Sequence, residues 1–191
     1  MTPRTVSSDE SGLTMVELMI YSLLLAGVLA IIGSLLISTL RTESTVSGVV
    51  DATTAAQLAA KSIESGVRNS SGFQLTAVNT TDQVLLARVT DSAGVWTCRA
   101  WYYSNTENTI RALSSTSKIL PASWTTASLA SWTLLASGVE PAVGKPASDP
   151  IFTSAGQYVT MNFRVLAESY PPATISSSAA RRITQGSTQC F

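Results

Sequence analysis

An α+β chain, one long N-terminal helix followed by an antiparallel β head, is predicted by three observations. Residues 13–40 are almost wholly apolar. Apolar positions then recur at three- and four-residue steps as far as Arg68. Beyond Gly72 the pattern changes to the alternation of half-buried strands.

The apolar segment is the first element. From Leu13 to Leu40 a single charged side chain, Glu17, interrupts 28 residues, or roughly 42 Å of helix. That exceeds the roughly 20 residues that cross a bilayer. It also exceeds the apolar core of a secretory signal, about 7–15 residues, and no small-residue cleavage site follows it. A retained membrane helix is expected, weakened at Gly27 and Gly33 by roughly 1 kcal/mol each relative to alanine.

The second element continues the first. Val46, Val49, Ala52, Ala56, Ala60, Ile63 and Val67 line one face, while Asp51, Lys61, Glu64 and Arg68 lie on the other. Asn69-Ser70-Ser71-Gly72 reads as its C-terminal cap and turn. One helix is therefore expected from about Leu13 to Arg68, with Gly27, Gly33 or Gly48 as places where it can bend.

The head follows. Gln83–Val89 and Val95–Tyr103 flank Asp91-Ser92-Ala93-Gly94 and read as a hairpin. Further strands are expected at Ile110–Leu113, Trp132–Val139 and Tyr158–Leu166. Ser114–Lys118, Glu140–Pro150 and Ser169–Ser178 read as connecting stretches rich in Ser, Thr or Pro. The organisation is then 1–12 as a leader, 13–40 as the apolar helix, 41–71 as the amphipathic helix and 72–191 as the head.

Composition narrows the function. Twelve basic and twelve acidic residues give no net charge, so the basic stripe that grips nucleic acid is missing and direct nucleic-acid binding is not expected. The chain contains no histidine, the commonest general base and metal ligand. No P-loop, Rossmann or G-x-S-x-G pattern occurs, and no cofactor or metal is expected. Ser115-Thr116-Ser117-Lys118 matches S-x-x-K, but the S-D-N and K-T-G elements of those acyl-transfer enzymes are missing. An enzyme is not expected. Asn69-Ser70-Ser71 and Asn79-Thr80-Thr81 match the glycosylation triplet, a pattern common by chance in a Ser/Thr-rich chain.

The aromatic cluster Trp96, Trp101, Tyr102 and Tyr103, with Trp124 and Trp132 after it, has two readings. The rings either stack on sugars or bases, or fill the core of the sheet. Alternation favours the core. Cys98 and Cys190 have two readings as well, a disulfide closing a long loop or two buried thiols, and export favours the disulfide.

Glu17 raises the sharpest question. A carboxylate at the centre of a membrane helix costs roughly 2.5–3.5 kcal/mol, so such acids are usually functional. No lysine or arginine lies within helix reach of it. An α-amino group created by cleavage after Gly12 would supply a partner, best matched on a neighbouring, axially staggered chain. The bland alternative is a single-pass anchor whose glutamate reaches the membrane interface.

Gly12-Leu13-Thr14-Met15-Val16-Glu17-Leu18 resembles the class III signal of type IV prepilins and pseudopilins, commonly G-F-T-L-V/I-E-L. The resemblance implies cleavage after Gly12 by prepilin peptidase, N-methylation of Leu13 and pairing of Glu17 with a neighbouring subunit's amine. It also implies a pilin-like fold. The expected partners are other pilin or pseudopilin subunits, the peptidase, the pilus assembly platform and, before assembly, membrane lipid. The expected location is the cytoplasmic membrane with the head outside, then a surface pilus or pseudopilus. Leucine stands in place of the commoner phenylalanine, and the leader carries Arg4 with Asp9 and Glu10 where many leaders are basic. The helix ending near "SGVRNSSGF", the aromatic strand–turn–strand and a late "TISSSAARRI" strand resemble W-type minor pilins and J-type minor pseudopilins. A different class, an anchored sensor or adhesin domain outside any filament, shares the anchor and the head but needs neither cleavage nor an ionised Glu17.

Overall fold

The computed structural model describes residues 14–90, 94–120, 124–146, 148–167, 170–182 and 190. Gly12 and Leu13, the expected cleavage pair, lie outside the described residues. The chain divides into two compact units between Ser44 and Thr45.

Helix α1, Met15–Arg68, runs through both units without a break. Neither Gly27, Gly33 nor Gly48 interrupts it. In the first unit it carries no charged side chain from Leu18 to Leu40. In the second it becomes amphipathic, and Ala52, Ala56, Ala59, Ala60, Ile63 and Val67 are buried. Small side chains predominate on this face because the helix lies close to what it covers.

Five strands follow as an antiparallel meander: β1 Ser70–Ala77, β2 Gln83–Thr90, β3 Trp96–Ser104, β4 Thr109–Ser115 and β5 Thr133–Ser137. A short helix, α2 Thr126–Leu129, precedes β5. The second sheet has β8 Tyr158–Ala167 at its centre. β9 Tyr170–Ala180 pairs along nearly all of it, while β6 Val139–Pro141 and β7 Phe152–Ala155 share its other edge. The fold is α+β, a long N-terminal helix on antiparallel sheet.

The strands differ from the sequence expectation in four places. The helix ends where expected, but the turn at Asn69–Gly72 is confined to Asn69: Ser70 already pairs with Val89, and its hydroxyl donates to the Val67 carbonyl at 2.7 Å. The chain thus passes from helix to strand within two residues. The expected strand Trp132–Val139 is two strands in different sheets, separated at Gly138, whose φ of 68° suits glycine. β6 and β7 occupy parts of what read as loop or went unread. β9 takes in residues 170–178 of the expected connector and overlaps the late strand expected at TISSSAARRI, and Pro171 and Pro172 are tolerated because β9 is an edge strand.

Both faces of the first sheet are covered, and alternation decides which residue goes where. Leu85, Ala87, Val89, Trp101 and Tyr103 meet α1 and the second sheet in one core. Val84, Leu86, Ala100 and Tyr102 form a second core on the reverse face with Ile119, Leu129 and Trp132. Trp101 sits deepest: a Cβ added at Gly66 of α1 would overlap its indole, and its Nε1 donates to Ser62 Oγ at 2.9 Å. Gly66 is required by that close approach and not by any unusual backbone angle.

Buried polar groups tie the layers together. The Gln83 amide reaches from β2 to the second sheet, donating to the Phe152 carbonyl at 2.9 Å and accepting from the Ile151 and Phe152 N–H groups at 3.0 Å each. It acts as a side-chain substitute for strand pairing where the two sheets meet. Ser177 of β9 donates to Glu64 of α1, and Arg181 donates to the Ser71 carbonyl at 3.2 Å.

Cys98 of β3 and Cys190 are joined by a disulfide, with Cα atoms 5.4 Å apart and a sequence separation of 92 residues. Both belong to the core on the reverse face of the first sheet. A link across so long a loop restricts the unfolded chain strongly, so its loss is expected to cost about 2–5 kcal/mol. Denaturant unfolding of the full chain in detergent, with and without thiol reductant, measures this. The midpoint is expected to fall on reduction and to fall equally in Cys98→Ser without reductant.

Candidate functional site

The first turn of α1 is built by its own sequence. Thr14 precedes the helix, and its Oγ1 accepts the Glu17 N–H at 3.3 Å, so Thr14 acts as an N-cap. Glu17 falls in the first turn, where the helix dipole favours an anion. Tyr21, one turn on, donates its hydroxyl to Glu17 Oε1 at 3.0 Å. One carboxylate oxygen is therefore engaged within the helix, and no described side chain donates to Oε2. Thr14 and Tyr21 were both legible in the sequence, as T-x-x-E spacing and as an i,i+4 pair, once Glu17 was taken as a helix-start residue.

From Met15 to Leu40 every large apolar side chain is exposed, Met15 at 77% and Leu23 at 74% being the extremes. Among the described residues, apart from the adjoining turns of the helix itself, nothing lies within 4 Å of where a Cβ at Gly27 or Gly33 would stand. At about 1.5 Å per residue this stretch spans about 39 Å, against about 30 Å of hydrocarbon in a bilayer. The helix is long and apolar enough to cross a membrane once. Left in water it would expose far more contiguous apolar surface than the few hundred Å² a soluble monomer tolerates. Ser22, Ser34 and Thr39 do not break this character, because each hydroxyl donates to a carbonyl of the preceding turn.

The aromatic cluster has the geometry of a core. Trp101, Tyr102, Tyr103 and Trp132 are each no more than 3% exposed, and Tyr102 meets Trp132 edge-on with centroids 6.2 Å apart. Trp96 alone among these is substantially open, at 37%, and the Arg88 guanidinium lies 4.3 Å from its ring centre. An arginine thus covers one face of this ring.

Two of the buried tyrosines carry a pH signature. The Tyr102 hydroxyl donates to Asp82 Oδ2 at 2.9 Å, while Asp82 Oδ1 accepts the Asn105 N–H at 2.9 Å. Burial first, then that carboxylate, raises the Tyr102 pKa. Burial, with Asp82 and Glu140 adding, pushes Tyr103 up to about 12 from 10.0. In the unfolded chain these phenols ionise near their ordinary value, while the folded chain still holds the protons. Unfolding then releases protons, so stability is full below about pH 10 and is lost as pH rises towards about 12. The denaturation midpoint is expected to drop across that window, and Tyr103→Phe is expected to flatten the drop.

The remaining candidates are structural in their surroundings. Ser115 closes β4, pairs with Cys98 across the sheet, and accepts the Ser117 N–H at 3.0 Å. Asn79 Oδ1 accepts the N–H groups of Thr81 and Asp82 at 2.8 and 2.6 Å, which makes the turn between β1 and β2. Among the described residues no three His, Cys, Asp or Glu side chains gather where a metal ion would sit.

No family model matches this chain, and no curated protein or solved structure is similar enough to it to be matched. The functional reading therefore rests on residues and geometry.

Proposed function

We propose that this chain is a minor pilin or pseudopilin, a structural or initiating subunit of a type IV pilus or a related filament. The observation that carries the reading is the single carboxylate in the first turn of a helix whose large side chains are apolar and exposed as far as Leu40. It stands in register with the prepilin-like sequence GLTMVEL. In this account the precursor waits in the cytoplasmic membrane with its head outside, and prepilin peptidase removes Met1–Gly12. Extraction moves the apolar helix from lipid into a bundle of like helices.

Such a move is nearly neutral for the aliphatic side chains, because both surroundings are apolar. Selectivity then falls to Glu17. Its free oxygen accepts the α-amino group of Leu13 on a staggered neighbour, and each ion neutralises the other in a place where either alone is costly. The head, two antiparallel sheets behind the helix, is strand-rich and supports a W-type or J-type minor component. It would determine position and partners.

Gly12→Val is the direct test of processing. A β-branched residue at the cleavage position is expected to leave membrane insertion unchanged and to leave Met1–Gly12 attached, which intact mass reads. A fully cleaved Gly12→Val chain, beginning at Leu13, would remove the prepilin signal from the account. The anchored sensor or adhesin reading predicts no difference between Gly12→Val and the unmodified chain.

A further inference from the structure

A shallow groove of about 200 Å³ is lined by Ser62 of α1 and by residues of β3, β4 and β5 of the first sheet. Trp101, Ala112 and Leu135 make it apolar, while Arg99, Ser114 and Thr133 supply its polar edge. Arg99 does not fit a purely structural role. Its Nε is closed off from solvent and has no hydrogen-bond partner, and its guanidinium enters none of the ion pairs formed among the described residues. A partly buried arginine without a carboxylate is costly, and the cost is recovered when a partner brings one.

The same chain displays a surface of complementary chemistry. Val46, Val50 and Leu58 of α1 are 54%, 53% and 54% exposed although they lie beyond the apolar segment. With Thr54 they stand at four-residue steps and form one ridge along the helix. Asp51 is exposed beside that ridge and enters none of the described ion pairs. The ridge faces away from the core that buries Ala52, Ala56 and Ile63.

We infer that the groove receives the Val46–Leu58 ridge of a second copy, with aliphatic side chains on Ala112 and Leu135 and Asp51 paired to Arg99. Groove and ridge are different surfaces, so the contact is heterologous and leaves one of each open on every pair of copies. Its setting rests on the filament reading above, but the contact is tested separately from it.

Two full-length copies carrying different tags are co-expressed, one bearing Ser114→benzoylphenylalanine at the groove edge, and membranes are irradiated. Cross-links joining the two tags are expected, mapping to residues 46–58 of the second copy. Asp51→Arg in that copy leaves the groove untouched and is expected to lower the yield about tenfold, the scale of a lost charge pair across an interface. Adding Arg99→Asp to the first copy is expected to restore it. A yield indifferent to Asp51→Arg, or cross-links that land elsewhere or on a different protein, would overturn the contact. Intact mass of the same sample separates the two ideas. Cross-links between chains that retain Met1–Gly12 keep the contact and remove the filament reading. Chains that begin at Leu13 but do not cross-link keep the filament reading and remove the contact.

Discussion

Glu17→Ala is expected to insert into the membrane as well as the unmodified chain, or better, and to be missing from assembled filaments. Insertion improves because the substitution removes the one side chain that resists hydrocarbon, worth roughly 2.5–3.5 kcal/mol at a helix centre. The loss of its first-turn charge costs less, about 0.3–1 kcal/mol of helix stability. Tyr21 loses an acceptor at 3.0 Å, but its hydroxyl lies on the helix surface and remains free to turn elsewhere. Assembly fails for a different reason. A neighbour's α-amino group would enter an apolar bundle without a counter-charge, and truncating one member of a buried pair costs about 3–5 kcal/mol. Membrane fractionation and a sheared-filament assay on the same cells read the two effects. Mutant filaments at wild-type levels would show that Glu17 does not select neighbours.

Trp101→Ala is expected to have the largest effect on the head. The indole is 1% exposed, lies against the bare backbone of Gly66 and donates to Ser62. Deleting a ring of this size leaves a cavity between α1 and β3, at a cost of about 3–5 kcal/mol. Denaturant unfolding in detergent is expected to show a lower midpoint with an unchanged slope. Trp101→Phe keeps most of the volume and should lose a smaller share. A change below about 1 kcal/mol for Trp101→Ala would mean that α1 is not seated on β3 through this contact.

How much of this was legible in the sequence depends on how local the cause was. α1 was read to within two residues because both signals that define it, unbroken apolarity and then a 3.6-residue period, are written in consecutive positions. The hairpin of β2 and β3 was legible for the same reason, through alternation on either side of a turn. β1 was not. Asn69-Ser70-Ser71-Gly72 carries every local mark of a helix end, and only pairing with Val89 and Arg88 of β2 makes it a strand. The second half of β9 was expected as the late TISSSAARRI strand, while its first half was hidden by Pro171 and Pro172, whose acceptability depends on the strand lying at an edge.

At the candidate site the division is similar. Glu17 stood out because it is alone among apolar residues. Tyr21 and Thr14 were in plain view but meant little until the helix start was placed. Arg99 had no signal at all: it sits among polar and aromatic neighbours in the sequence, and only the packing of β3 beside β4 shows that its buried Nε lacks an acceptor. Gln83 was equally silent, since its value lies in reaching the second sheet 69 residues away.

The central claim is that Leu13 becomes a charged, methylated N-terminus four residues ahead of Glu17. The intact mass of the protein from its native membrane fraction tests it most directly. A species beginning at N-methylated Leu13 is predicted. A species that retains Met1–Gly12 in cells with active prepilin peptidase would contradict it, and Glu17 would then be the acid of an anchored ectodomain with no amine to meet.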